Sequence, residues 1–501
     1  MSKTEIILGP PGTGKTTTLL NIVDEYLLKG TQPNKIGFIS FTKKSVNEAK
    51  SRAIEKFKLP LDQFNYYRTI HSLCFYQLSM SPKEVMQRKD YIELGKLIGS
   101  RMTGIHRQDQ EVYEMPEGDQ MVFIESLSRL MCKSLNDTWN YLNADIDFAK
   151  LEYFEKSLIK FKKANLLYDF TDMLTKYYEQ GVAPELDLLV VDEAQDLCRI
   201  QWAIVEKLSK NAKDVYIAGD DDQAIFRWSG ADIDYFLGLS KKYATKVLGH
   251  SYRLPIEVYK LSCQIVSMIK QRNEKEFSCT VKDGKVDYIN DLDDINMDQD
   301  DWLILVRNGF MVKDVVEHLR FVGYPYETVY YSIKEDEALQ AALAWERLRA
   351  GNKISIIDLR LMMQYMSEKK LGKRRLTARS KDDEFDLHTL VMYEIFTPGV
   401  EKEIWHVALD KIAVEDREYY IAARRRGELL TGKPRIKVST IHGAKGGEAT
   451  NVVLYTDMSL KTYNSMLMNY DDEVRVFYVG VTRTKENLYV MQPQSNNYFN
   501  F

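Results

Sequence analysis

The chain has 501 residues, 45% hydrophobic and 28% charged, room for about three or four structural units and for a core that needs no covalent staple. Lys+Arg total 69 against 73 for Asp+Glu, a net charge of −4, which excludes a uniformly basic coat protein; any polyanion must meet a local positive groove. The five cysteines (Cys74, Cys132, Cys198, Cys263 and Cys279) form no C-x-x-C pair, which argues against zinc or iron–sulfur ligation, and no apolar run approaches the ~20 residues of a membrane span.

The chain enters a strand pattern at Thr4-Glu5-Ile6-Ile7-Leu8, so no signal peptide is expected and a reduced, cytoplasmic setting (a prokaryotic cell or an infected host) is the simplest reading. Gly9-Pro10-Pro11-Gly12-Thr13-Gly14-Lys15-Thr16 follows and fits G-x-x-x-x-G-K-[ST] at every fixed position. After it comes an amphipathic helix with Leu19, Leu20, Ile22, Val23, Tyr26 and Leu27 as its apolar positions. Strand, glycine-rich turn and helix start make a phosphate cradle: glycines let backbone N–H groups close on the anion, and the helix N-terminus adds partial positive charge. Lys15 is placed to bridge β- and γ-phosphates of ATP and Thr16 to hold Mg²⁺.

Further apolar runs at Ile36–Ile39, Leu186–Val191, Val215–Ala218, Trp302–Val306 and Asn451–Tyr455 read as buried parallel strands, giving an α/β class. Between them, residues 77–164 and 336–432 read as helical insertions. Residues 287–301 hold seven aspartates and read as a solvated acidic connection; no glycine sits where a calcium loop needs one. The polar tail Gln492–Phe501 is expected to fray. A P-loop needs a carboxylate partner, and Leu186–Val191 runs into Asp192-Glu193-Ala194-Gln195-Asp196. Asp192 is placed to reach the metal, and Glu193 to polarise the attacking water as general base.

Asp-Glu-x-Gln-Asp, together with a series of further motifs in order, resembles the UvrD/Rep branch of superfamily 1 DNA helicases. Phe38-Ile39-Ser40-Phe41-Thr42-Lys43-Lys44-Ser45-Val46-Asn47-Glu48-Ala49 resembles motif Ia, and Thr69-Ile70-His71-Ser72-Leu73 motif Ib. Asp169-Phe170-Thr171-Asp172-Met173-Leu174 is similar to the short element that precedes motif II. Ala218-Gly219-Asp220-Asp221-Asp222-Gln223-Ala224-Ile225-Phe226-Arg227-Trp228-Ser229-Gly230-Ala231 resembles motif III, and His250-Ser251-Tyr252-Arg253 motif IV. Thr440-Ile441-His442-Gly443-Ala444-Lys445-Gly446-Gly447-Glu448 resembles motif V, and Val474–Arg483 motif VI.

The resemblance implies two RecA-like P-loop domains with parallel sheets and ATP between them. The first would comprise residues 1–76 and 165–244 with insertion 77–164, the second 245–335 and 433–501 with insertion 336–432. It also implies that the first domain carries Gln223 in the catalytic set with Lys15 and Glu193, that Arg253 and Arg483 reach the γ-phosphate, that Tyr252 stacks on adenine and that Glu448 contacts ribose. An arginine stabilising the transferring phosphoryl group can be worth ~10³–10⁵ in rate. Phe41, Phe170, Phe226 and Trp228 are candidate base platforms, and His71, Arg227 and His442 candidate strand contacts. Single-stranded DNA and single-/double-strand junctions are the implied partners, and a monomer is expected to suffice.

The chain departs from the family pattern at several points. No glutamine occurs in the eight residues before Gly9, Thr17 stands where relatives often carry arginine, motif V reads K-G-G-E-A in place of K-G-L-E-F, and the second insertion is short. The basic clusters Lys369-Lys370, Lys373-Arg374-Arg375 and Arg424-Arg425-Arg426 fit either a duplex-facing surface or a solvated helix face. The expected activity is a 3′-to-5′ ATP-dependent DNA helicase or translocase. Its rivals are a translocase with little unwinding and a nucleotide-switched nucleic-acid-binding module.

Overall fold

The computed structural model describes residues 3–41, 43–104, 115–374 and 383–501. Thr42 of motif Ia and Arg375 of the first basic cluster lie outside the described residues. The chain divides into two compact units: Met1–Tyr288 with Ala444–Glu448 and Thr456–Phe501, and Ile289–Gly443 with Ala449–Tyr455. Each contributes to an α/β architecture with two six-stranded sheets, as in RecA-like domains.

The first sheet comprises β1 (Lys3–Leu8), β2 (Ile36–Ser40), β3 (Tyr67–Thr69), β4 (Leu186–Asp192), β5 (Ala212–Gly219) and β6 (Ala244–Val247), in the order β3-β2-β4-β5-β1-β6. Every neighbouring pair is parallel. Alternation along the strands explains why both faces are covered. Ile6, Leu8, Leu189 and Val191 join one core with Trp202 and Phe236, while Ile7, Leu188 and Val190 join another with Leu19, Leu20 and Val23 of the helix Lys15–Leu28. In register, Leu8 stands beside Gly219 and Ser40 beside Asp192, so the segments leaving β1, β4 and β5 emerge at one edge, where ligands of parallel sheets bind.

The expected first insertion consists of the helices Arg88–Ile98, Glu117–Leu130, Leu135–Tyr141 and Phe148–Asn165 around their own core of Leu94, Ile124, Leu151, Phe154 and Leu158. A buried charge network joins it to the helix Phe170–Gln180. Arg129 pairs with Glu125, Asp169 and Asp172 at 2.7–2.8 Å, and Lys162 with both aspartates at 2.6–2.8 Å. Asp169 also caps that helix by accepting from Asp172 N–H, and Asp172 accepts from Asp169 N–H in return. Burial works against the Asp169 charge, but Arg129 and Lys162 outweigh it and hold the carboxyl down at about 2.

The tail does not fray. Phe499 is buried and stacks on Phe477 with ring centroids 4.3 Å apart, while Asp457 accepts from Gln494 N–H and Ser495 N–H. A single aromatic anchor among polar residues, Phe499, decides the matter, and a count of polar residues overlooks it.

In the second unit, β8 (Trp302–Val306) follows β7 (Lys285–Ile289), a strand that begins in the first unit. β8 lies between β12 (Ile436–Thr440) and β13 (Ala449–Tyr455), and β12 also pairs with β9 (Tyr326–Glu327), all in parallel. β14 (Thr484–Met491) belongs to the first unit. The acidic connection is put to local use: Asp294 accepts from Asn290 N–H and Asp291 N–H, Asp298 pairs with Arg426, and Asp301 accepts from Thr450. The second insertion is helical (Glu337–Arg349, Ile356–Gln364, Leu387–Met392 and Val414–Arg425) but also contains a small antiparallel ribbon, β10 (Ile354–Ser355) with β11 (Glu384–Phe385). Two-residue strands are too short to leave a periodic signal.

Candidate nucleotide site and strand track

The segment after β1 closes as a phosphate cradle. Gly9 N–H donates to Gly219 O at 3.1 Å, Thr13 donates to Pro10 O through both N–H and hydroxyl, and Gly14 caps the helix Lys15–Leu28 with φ +76°. The first turn of that helix carries no acidic residue to offset its positive end. Gly12 has φ +72°, and a Cβ there would lie 2.4 Å from Cβ of Arg253, so a side chain is excluded both by conformation and by space. The motif IV segment packs directly on this loop: Ser251 Oγ donates to Pro11 O at 2.7 Å and Tyr252 N–H to Gly12 O at 2.9 Å. Lys15 Nζ donates to Gly9 O at 2.8 Å, which folds the ammonium back over the loop.

Thr16 Oγ1 donates to Asp192 Oδ2 at 3.1 Å, bringing together the two predicted metal-holding residues. Asp192 ends β4, fully buried, and burial together with the neighbouring Glu193 charge lifts its carboxyl to about 7. Glu193 behaves differently. Burial again opposes its charge, but Lys15, Lys445, the Gln195 amide and Arg483 outweigh burial and leave it below the ordinary carboxylate range. Two adjacent carboxyls are thus pushed apart, one short of cations and one ionised and ready to accept a proton. Glu193 also has φ +53°, a conformation that costs a non-glycine residue ~1–3 kcal/mol and gathers at functional sites.

Gln195 connects this pair to motif III. Its Nε2 donates to Glu193 Oε2 at 2.6 Å and to Asp196 Oδ2 at 3.2 Å, while its Oε1 accepts from Asp220 N–H at 3.0 Å. A Cβ on Gly219 would lie 2.7 Å from that Oε1, so the close approach needs glycine. Gln223 donates to Asp220 at 2.6 Å and accepts from Arg483 Nη2 at 2.9 Å.

Arg483 is buried, and its other N–H groups donate to Val479 O and Gly447 O. Burial and the facing Arg253 guanidinium push it down to about 9, a cation poorly compensated by its surroundings and suited to an arriving anion. Arg253 pairs with Glu448 at 2.6 Å and donates to Thr482 O at 3.2 Å. Glu448 also meets Lys485 at 3.3 Å. Glu448, the expected ribose contact, is thus engaged by Arg253. Tyr252 is 74% exposed, with its ring edge-on to His250 at 4.7 Å.

The aromatic candidates form pairs. Phe41 stacks on Phe226 at 5.7 Å, and exposed Phe170 meets half-buried His71 edge-on at 6.1 Å. Half-buried Trp228 stacks at 6.1 Å on Phe123, from the helical insertion, which no motif singles out. Arg227 pairs with Asp472 at 3.2 Å. His442 is buried and belongs to the second unit. Sequence reasoning also passed over Lys445, although motif V contains it. Lys445 Nζ donates to Asp196 Oδ1 at 2.6 Å and to Gln223 O at 2.7 Å.

Among the described residues, no helix is long and apolar enough to cross a membrane. Residues 1–244 match the model of the UvrD/REP helicase N-terminal domain, and residues 417–495 that of the UvrD-like helicase C-terminal domain. The chain is 27% identical to the ATP-dependent DNA helicase Rep of Buchnera aphidicola subsp. Baizongia pistaciae, over 64% of this chain and 52% of that one. It is 25% identical to the ATP-dependent DNA helicase PcrA of Staphylococcus epidermidis (63% and 44%) and 21% identical to a probable DNA helicase II homolog of Mycoplasma genitalium (97% and 82%). The match to Rep thus spans about half of that relative's length. With both terminal domain models matched over more than half of the chain, and with the phosphate loop, carboxylates and arginines gathered as described, the chain belongs to the UvrD/REP helicase family.

Proposed function

We propose that the protein is an ATP-dependent motor on single-stranded DNA that moves 3′ to 5′ and separates duplex at junctions. The observation that carries this reading is the convergence of Lys15, Thr16, Asp192 and Glu193 with Arg253, Gln223 and Arg483 in one compact unit. Lys15 and the loop N–H groups hold the phosphates. Glu193 accepts the proton of the attacking water, and Arg253 and Arg483 stabilise charge on the transferring group. Thr16 and Asp192 fit Mg²⁺: a hydroxyl and a buried carboxylate short of cations present hard oxygen donors. When bound, Mg²⁺ neutralises β- and γ-phosphate charge.

On this reading the domains are 1–76 with 165–244, and 245–335 with 433–501, carrying the insertions 77–164 and 336–432. Phe41, Phe170 and Trp228 are assigned as ring platforms for bases, with the buried Phe226 ring packed behind Phe41, each stacked base being worth ~1–3 kcal/mol irrespective of sequence. His71, Arg227 and His442 are assigned to the strand as well, and Tyr252 to the nucleobase.

ATP turnover with and without a single-stranded oligonucleotide tests the motor, and unwinding of 3′-tailed against 5′-tailed duplexes tests polarity. Turnover is expected to rise with strand and unwinding to need the 3′ tail. Equal turnover in both conditions would remove the motor reading, and preference for the 5′ tail would reverse the polarity.

A further inference from the structure

We propose that Lys445 is a positioning residue that ties base stacking on the Phe41–Phe226 pair to the orientation of the catalytic carboxylate Glu193, with buried Phe226 lying between Phe41 and the ammonium. The inference rests on the reading of Phe41 and Phe226 as a base-stacking pair and goes beyond it by naming the link. The Lys445 ammonium touches three things at once. It donates to Asp196 Oδ1 at 2.6 Å and to Gln223 O at 2.7 Å, and it lies over the Phe226 ring, 5.0 Å from its centroid. Its side chain is only 12% exposed, so these contacts are made largely out of water, where they are strongest.

From Asp196 the contact continues without a gap. Gln195 Nε2 donates both to Asp196 Oδ2 at 3.2 Å and to Glu193 Oε2 at 2.6 Å. One amide nitrogen is therefore shared between the lysine's partner and the catalytic base. Gln195 cannot swing away, because its Oε1 accepts from Asp220 N–H in a space where Gly219 leaves no side chain. The second branch is equally short: Gln223, whose backbone carbonyl takes Lys445, accepts Arg483 on its side-chain oxygen. Lys445 thus reaches both the base and the buried arginine.

A cation over an aromatic face is attracted by the ring electrons, and the gain depends on what else the ring faces. A base stacking at the Phe41–Phe226 pair, with its phosphate near an ammonium, changes the pull on Lys445. The ammonium must then divide differently between ring, Asp196 and Gln223 O. Burial keeps the Asp196 carboxyl at about 6 even with Lys445 against it, so its charge depends on that contact. As the lysine shifts, the Gln195 amide redistributes between Asp196 and Glu193, and the base turns with it.

The test uses the full chain with oligo-deoxythymidine as probe. ATP turnover is measured with and without probe in K445M, K445R and D196N, and probe binding is followed by fluorescence anisotropy. For K445M and D196N the ratio of stimulated to unstimulated turnover is expected to fall to within about twofold of one. Probe affinity of D196N should stay near wild type, since Asp196 is buried away from solvent, and K445R should recover at least about half of the ratio. A wild-type ratio in both K445M and D196N, or a proportional fall of both rates, would overturn the link. D196N, which keeps the lysine, carries the test if K445M fails to fold. Absence of stimulation in the wild-type protein would instead overturn the motor reading beneath it.

Discussion

Asp192, at the end of β4, and Asp221, two residues past the neighbouring β5, are both fully buried carboxylates, yet their surroundings differ in kind. Asp221 belongs to a closed cage. Lys275 Nζ lies 2.6, 2.9 and 3.1 Å from Asp221, Asp222 and Asp220, Arg272 pairs with Asp222, and Asn273 N–H donates to Asp221 at 2.8 Å. Asp192 accepts, among the described residues, only from the Thr16 hydroxyl and the Glu193 N–H. Arg483 has a similar shortfall of opposite sign, pushed down by burial and by Arg253. Structural charge is matched within the protein. At the nucleotide site the charges of Asp192 and Arg483 are left unmatched, and a ligand that brings phosphate oxygens and a cation completes them.

The largest expected effect strikes the unmatched side: Arg483→Ala should cut strand-stimulated ATP turnover by ~10³-fold or more, read as phosphate release, while unfolding in urea changes little. Near-normal turnover would remove the arginine from the γ-phosphate. The matched side should fail in stability instead. Lys275→Met removes the cation that three buried carboxylates share and should lower the unfolding free energy by about 3–5 kcal/mol in urea titrations; a loss below about 1 kcal/mol would mean that the cage is hydrated.

A paired experiment sharpens the contrast. Asp221→Asn should cost about 1–3 kcal/mol of stability, whereas Asp192→Asn should leave stability equal or higher and abolish turnover. Similar melting of the two variants would erase the distinction.

The subtlest effect is a slope in pH. The Asp192 carboxyl is raised by burial and by Glu193, so the folded protein holds a proton that the unfolded chain gives up near pH ~4. The associated stability is present below that pH and lost as pH rises through about 7. Metal-free wild-type protein should therefore show a decline between pH ~4 and ~7 that Asp192→Asn lacks, measured by urea unfolding across that window.

Much of the nucleotide site was legible in the chain. A phosphate cradle needs consecutive backbone groups in one turn, so Gly9–Thr16 announces itself, and Leu186–Val191 leads visibly to Asp192 and Glu193. Strands buried on both faces, such as Phe38–Ile39, stand out as apolar runs. β14 did not, because Thr484, Lys485 and Glu486 open it with polar side chains. β3 and β9 are only three and two residues long. Phe123 lies in a helix without a motif, and only folding sets it against Trp228.

The sequence by itself determined the P-loop, the order of the motifs and the class of the fold, since these depend on residues adjacent in the chain or on a local period. Tertiary structure alone decided which buried carboxylates are neutralised, how Glu448 is engaged, and that Lys445 meets Asp196, Gln223 and Phe226 together. Those outcomes depend on burial and on partners supplied from distant segments, and no local pattern encodes the distance between two charges.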